Sequence, residues 1–129
     1  MLYSYYYYRT VRVIITRYES TVIPKKLASL LSSLQNLHTL QIFHFASNMS
    51  TALKNGFQGV TLSGIRTLII PEQCHAILKY CPHVTKVWCN RGDGSYLVTA
   101  IAKYCNEVQE LRGIYPTAEK LIKSALIKF

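Results

Sequence analysis

Leu34-Gln35-Asn36-Leu37-His38-Thr39-Leu40-Gln41-Ile42 sets a spacing of apolar residues that the chain repeats three more times. It returns as Leu62-x-x-Ile65-x-x-Leu68-x-Ile70, as Cys81-x-x-Val84-x-x-Val87-x-Cys89, and as Cys105-x-x-Val108-x-x-Leu111-x-Gly113. The first positions fall at 34, 62, 81 and 105, so successive copies lie 28, 19 and 24 residues apart. The end of each comb alternates inward and outward positions, the period of a strand with one buried face. Between copies the sequence predicts a helix. A strand-plus-helix unit recurring at such intervals cannot bury its apolar side alone, so the units stack. The predicted class is therefore α/β: a short αβ-solenoid with parallel strands on its inner face and helices on its outer face.

Outward from that stretch, Thr10 to Thr16 is β-branched and alternating, a predicted leading strand that the tyrosine run before it could extend. Pro24 suits the first turn of a helix carrying Leu27, Leu30, Leu31 and Leu34. Strands are predicted at 39–43, 66–70, 86–89 and 110–113. Ser50 or Thr51 is placed to cap a short helix ending near Asn55-Gly56, where an αL residue is easily supplied. Pro71-Glu72 opens another helix, through Ile77, Leu78 and Tyr80, and Pro82 ends it. Asn90-Arg91-Gly92-Asp93-Gly94 reads as a turn. Ser95 would cap the helix Tyr96 to Tyr104, with Leu97, Ile101 and Tyr104 on one side. A last helix begins at Pro116 and carries Leu121, Ile122, Ala125 and Leu126.

With 129 residues, half of them hydrophobic and 16% charged, the chain has material for one core, and 1–129 reads as a single domain of four to five irregular repeats. Fifteen Lys and Arg face six Asp and Glu, a formal charge of +9 that favours acidic partners. The cations are dispersed from Arg9 to Lys128, as on a solvated surface. The N-terminal run has neither the basic start nor the cleavage site of a secretory signal. Leu27 to Leu53 is uncharged but studded with Ser, Gln, Asn and His, which fits a buried helix and strand, not a membrane span. Four cysteines without a C-x-x-C, three of them on comb positions, read as reduced core residues of a cytoplasmic or nuclear protein. In that setting the acceptor pattern Asn48-Met49-Ser50 has no use.

Once the combs are aligned, the chain resembles the leucine-rich repeats of F-box-type proteins, fungal ones especially. In the cysteine-containing variety each copy opens Cys-x-x-Leu-x-x-Leu. Cys81-Pro82-His83-Val84-Thr85-Lys86-Val87 and Cys105-Asn106-Glu107-Val108-Gln109-Glu110-Leu111 are similar to that opening, and Leu34 to Leu40 to its plainer form. The likeness covers roughly residues 10 to 115. The copies are irregular in length, the Asn of the longer repeat class is missing, and no F-box sequence stands before the array. In that family the F-box docks a cullin-based ubiquitin ligase and the repeats hold the substrate; the resemblance implies only the second role here.

Residues between the comb teeth point outward and stack along the inner curve: Arg12 and Ile14, Thr39 and Gln41, Thr67 and Ile69, Lys86 and Trp88, Glu110 and Arg112. This row is the predicted partner-binding face, and Trp88, the only tryptophan, is its natural anchor. The expected function is non-catalytic protein recognition, with no cofactor and no metal. The alternative is a basic nucleic-acid-binding module using Arg12, Arg17, Lys86, Arg91 and Arg112 against phosphates.

Other chemistries fit less well. Cys74, His75, Cys81, His83 and Cys89 lack the paired knuckles of a structural zinc site. Cys74-His75 as a catalytic pair would need an orienting carboxylate or amide and an oxyanion pocket, and the chain has six acids and no nucleophile elbow. Arg91-Gly92-Asp93 is best a turn, and Gly92-Asp93-Gly94 is far from a phosphate loop. Tyr5 to Arg9 mixes aromatics with charge, but neighbouring tyrosines on a strand face opposite ways. The leading Val11, Val13 and Ile15 and the closing Ile127 and Phe129 form no polar cap. A fragment of a longer array, or association through the ends, is therefore expected.

Overall fold

A computed structural model of the chain describes residues 2–3, 12–15, 24–43 and 49–115. Six strands form one sheet: β1 (Leu2–Tyr3), β2 (Arg12–Ile15), β3 (Thr39–Ile42), β4 (Thr67–Pro71), β5 (Lys86–Arg91) and β6 (Glu110–Arg112), ordered across the sheet as along the chain. β2 to β6 are parallel throughout. Helix α1 (Pro24–Ser33) joins β2 to β3, α2 (Met49–Gly56) joins β3 to β4, a 3-10 helix (Glu72–Tyr80) joins β4 to β5, and α3 (Ser95–Tyr104) joins β5 to β6. The helices also pack in chain order, α1 on α2, α2 on the 3-10 helix, and that helix on α3. The chain is thus α/β, as its sequence predicts.

The combs supply the core. Leu34, Leu37, Leu40 and Ile42, then Leu62, Ile65, Leu68 and Ile70, then Cys81, Val84, Val87 and Cys89, are all buried, with Cys105 and Val108 from the fourth copy. They form one cluster with Leu27 and Leu31 of α1, Leu53 and Phe57 around the end of α2, Cys74 and Ile77 of the 3-10 helix, and Leu97 and Ile101 of α3. One face of the sheet is therefore covered by the four helices of the described residues. The backbone repeats with the side chains. His38, Arg66 and Thr85 hold the same comb position, and each carbonyl accepts two N–H bonds from the next copy: Arg66 and Thr67, Thr85 and Lys86, Gln109 and Glu110. Inside the first three combs the N–H of the fourth residue bonds the carbonyl of the first.

Several local expectations change. The leading strand does not open the sheet, because β1 lies antiparallel on β2 through Leu2↔Ile15 and Tyr3↔Ile14. Val13 and Ile15 are buried, so these two are not an exposed apolar end. The connection predicted as an ordinary helix at 72–80 is a nine-residue 3-10 helix. It belongs to the shortest copy, and its buried Cys74, Ile77 and Tyr80 recur every third residue. At about 2.0 Å rise per residue it spans about 18 Å, against about 13.5 Å for an α-helix of equal length. Fewer residues thus return the chain to the start of β5. The left-handed turn after α2 falls at Gly59, not at Asn55-Gly56. Ser95 is itself the first helical residue and Gly94, at φ +87°, is the N-cap; Asp93, just before it, accepts the Ser95 N–H and hydroxyl on Oδ1 at 2.9 and 2.8 Å. Tyr104 is exposed and does not share the buried side of Leu97 and Ile101.

The fourth comb ends in Gly113 where the others carry Ile42, Ile70 and Cys89. Its φ is +74°, and a Cβ there would strike the Cys89 carbonyl oxygen, so only glycine closes this copy. β4 solves a different problem. By the two-residue period set by the Thr67 N–H on the His38 carbonyl, the Ile42 carbonyl should accept from residue 71. Pro71 has no N–H. The Asn90 side chain reaches over from β5 and donates from Nδ2 to the Ile42 oxygen at 2.8 Å.

Candidate functional site

The sheet face away from the helices carries two straight rows. Strand pairing puts Arg12, Thr39, Thr67, Lys86 and Glu110 side by side, and Ile14, Gln41, Ile69, Trp88 and Arg112 likewise. All the residues read from the sequence as outward neighbours therefore meet on one surface. They are not equally available. Gln41 is only 9% exposed, because Arg12 lies over it and donates from Nη2 to Gln41 Oε1. Ile14, Thr39, Thr67, Ile69 and Trp88 are half-buried, whereas Arg12, Lys86 and Arg112 are exposed. Phe43, just past β3, is 49% exposed and was not singled out by the sequence.

At the β5–β6 side the rows close into a cluster. The Trp88 indole N–H donates to Glu110 Oε2 at 3.3 Å, and Arg112 Nη2 donates to Glu110 Oε1 at 3.2 Å. The Arg112 guanidinium lies 4.5 Å from the centre of the Trp88 ring. Lys86 sits opposite Glu110 on the neighbouring strand. The Trp88 hydrogen bond, then Arg112 and Lys86, hold the Glu110 carboxyl below its ordinary pKa.

The nucleic-acid set is differently disposed. Arg12 is bound to Gln41 and Arg112 to Glu110, while Arg17 lies outside the described residues, as do Tyr5 to Arg9 and the predicted last helix. Arg91 belongs to another concavity, a cleft of about 560 Å³ at the ends of β4 and β5 lined with Pro71, Glu72, Gln73, His75, Gly92 and Tyr96. There His75 stacks on Tyr96 with centroids 5.3 Å apart. Glu72 Oε2 accepts the Gly94 N–H. Burial foremost, then Asp93, raises the Glu72 pKa.

The cysteines and histidines weighed for zinc or catalysis are scattered among different environments. Cys74 and Cys81 lie in the core, and burial pushes both thiols far up; Cys105 is pushed up to about 12. A thiol so disfavoured as thiolate is a poor nucleophile. Cys105 Sγ–H instead donates to the Leu78 carbonyl at 3.3 Å. His83 pairs with Glu107 at 2.5 Å, two residues at the same position of adjacent combs. Among the described residues, no three His, Cys, Asp or Glu side chains converge as ligands for a metal. No helix of the described residues is long and apolar enough to cross a membrane.

No protein-family model matches the chain, and no curated protein or solved structure matches it either.

Proposed function

We infer that the chain is a non-catalytic protein-recognition module, a short leucine-rich-repeat-like αβ-solenoid that uses its inner strand face, in the manner of the substrate-holding repeats of F-box-type proteins. One observation carries the reading. The two rows of outward side chains stand in register across β2 to β6 on the face that the described helices leave uncovered. The repeated backbone bonds at His38, Arg66 and Thr85 support equivalent stacked units. Trp88 is half-buried and lies under the Arg112 guanidinium, so its large ring is presented with little rotamer entropy left to lose on binding.

Affinity capture from cell extract, wild type against Trp88→Ala with Arg112→Ala, tests it. The wild type retains specific proteins that the double variant loses. An unchanged set of captured proteins, with both chains equally folded by circular dichroism, removes the strand face as the site.

A further inference from the structure

The Glu110 carboxylate sits among groups that are better suited to receiving an anion than to holding this one. Three residues converge on it: Trp88 through its indole N–H, Arg112 through its guanidinium, and Lys86 from the adjacent strand. Charge-assisted bonds normally close to about 2.7–2.9 Å. These stand at 3.3 and 3.2 Å, and the Arg112 and Glu110 side chains are 58% and 33% exposed. Exposed pairs of that kind exchange readily with solvent and with competing ions. The acid is therefore loosely held by a group of donors that stays assembled without it, because Arg112 also rests on the Trp88 ring.

We propose that Trp88, Arg112 and Lys86 form a carboxylate-recognising pocket, that Glu110 occupies it as an internal substitute, and that the partner is an acidic protein segment whose Asp or Glu side chain displaces Glu110. The inference rests on the recognition reading above and specifies its partner. Arg12, Lys86 and Arg112 face Glu110 alone on these rows, a net balance of two positive charges before any displacement. Between the cations lie Ile14, Ile69 and the Trp88 ring, apolar contacts that suit a polypeptide better than a sugar-phosphate backbone. Strands about 4.8 Å apart make the five-strand row about 19 Å long, room for about six residues of extended chain. A partner acid over the Trp88–Arg112 end and a second near Arg12 would then be about four to six residues apart, with apolar side chains over Ile69 and the Trp88 ring between them.

The test is fluorescence polarisation with a labelled peptide of about eight residues that carries two glutamates about six positions apart, leucine at every second position between them and serine elsewhere, so that all of these side chains share one side of the extended chain. A glutamine-for-glutamate version and an oligothymidylate of similar length serve as competitors. The wild type prefers the acidic peptide to both. Glu110→Gln, which keeps the shape and removes the competing charge, tightens binding about fivefold, and Glu110→Ala moves it the same way. Trp88→Ala and Arg112→Ala each weaken it about tenfold or more, and Lys86→Gln about threefold. Unchanged or weaker binding by both Glu110 variants overturns the internal-substitute idea; if Trp88→Ala and Arg112→Ala still lose the peptide, the strand-face reading survives that failure. Indifference of the peptide to Trp88→Ala and Arg112→Ala sinks both. Tighter binding of the oligothymidylate than of the acidic peptide assigns the face to nucleic acid and overturns the proposal.

Discussion

Asn90→Ala removes one hydrogen bond whose need is created by another residue, and this makes its consequence calculable. Pro71 cannot offer an N–H to the Ile42 carbonyl, and Asn90 Nδ2 replaces it at 2.8 Å. Ile42 is fully buried, so water does not easily take over the role. A buried carbonyl left without its donor costs about 1–3 kcal/mol, and the part-exposed Asn90 end of the bond puts the expectation near the lower bound, about 1.5 kcal/mol. Pro71→Ala restores the missing N–H to the strand. In that background Asn90→Ala should cost about 0.5 kcal/mol or less, a coupling of about 1 kcal/mol between the two sites. Urea unfolding of the four chains, followed by circular dichroism with a common m-value, gives the cycle. Equal destabilisation by Asn90→Ala in both backgrounds would refute the reasoning, since the amide would then act independently of the proline.

Gly113→Ala should destabilise by about 2–4 kcal/mol, because φ is positive and the new Cβ meets the Cys89 carbonyl; Gly59→Ala, with positive φ but open space, should cost about 1 kcal/mol by the same urea assay. Cys74, Cys81 and Cys105 should resist a thiol reagent at neutral pH until urea opens the core, with Cys89, the most accessible of the four, reacting first; mass spectrometry of labelled peptides reads the order. Burial and then Asp93 raise the Glu72 pKa, so its folded state binds a proton more tightly than the unfolded chain does. That contribution to stability is present below the ordinary carboxylate value and lost as pH rises through the raised one. Glu72→Gln, which can still accept the Gly94 N–H, should flatten this part of the urea-midpoint profile and stabilise the chain at neutral pH; an unaltered profile would show that Glu72 titrates normally.

What the sequence revealed and what it hid divide along a physical line. The register of β2 to β6 was legible because comb residues such as Leu40, Leu68 and Val87 must all face one core, and an inward set fixes the outward set by alternation. The features that escaped depend on side chains meeting across strands. No spacing announces that Arg12 will cover Gln41, that Asn90 will stand in for Pro71 at the Ile42 carbonyl two strands from its own, or that Asp93 will accept the Ser95 N–H ahead of α3. The 3-10 helix was partly visible, in the 19-residue copy and the three-residue period of Cys74, Ile77 and Tyr80. The antiparallel β1 was not, since its two residues carry no pattern of their own.

The fate of the acids explains why the strand face is basic even though the cations are dispersed. Glu72 and Asp93 lie at the N-terminal end of α3, where they accept the N–H groups of Gly94 and Ser95. Glu107 is joined to His83 at the comb turns. Of the acids among the described residues, that leaves Glu110 as the one on the two rows, and it is already shared by Trp88 and Arg112. The face therefore gets its field less by gathering lysines and arginines than by sending carboxylates elsewhere. It follows that moving one acid back should matter more than removing one cation. Thr67→Glu, at the centre of the first row between Thr39 and Lys86, should weaken the acidic peptide more than Lys86→Gln does, because it adds a repelling charge as well as competing for Lys86. Equal effects of the two substitutions in the polarisation assay would mean that the cations act one by one and that the distribution of acids carries no weight.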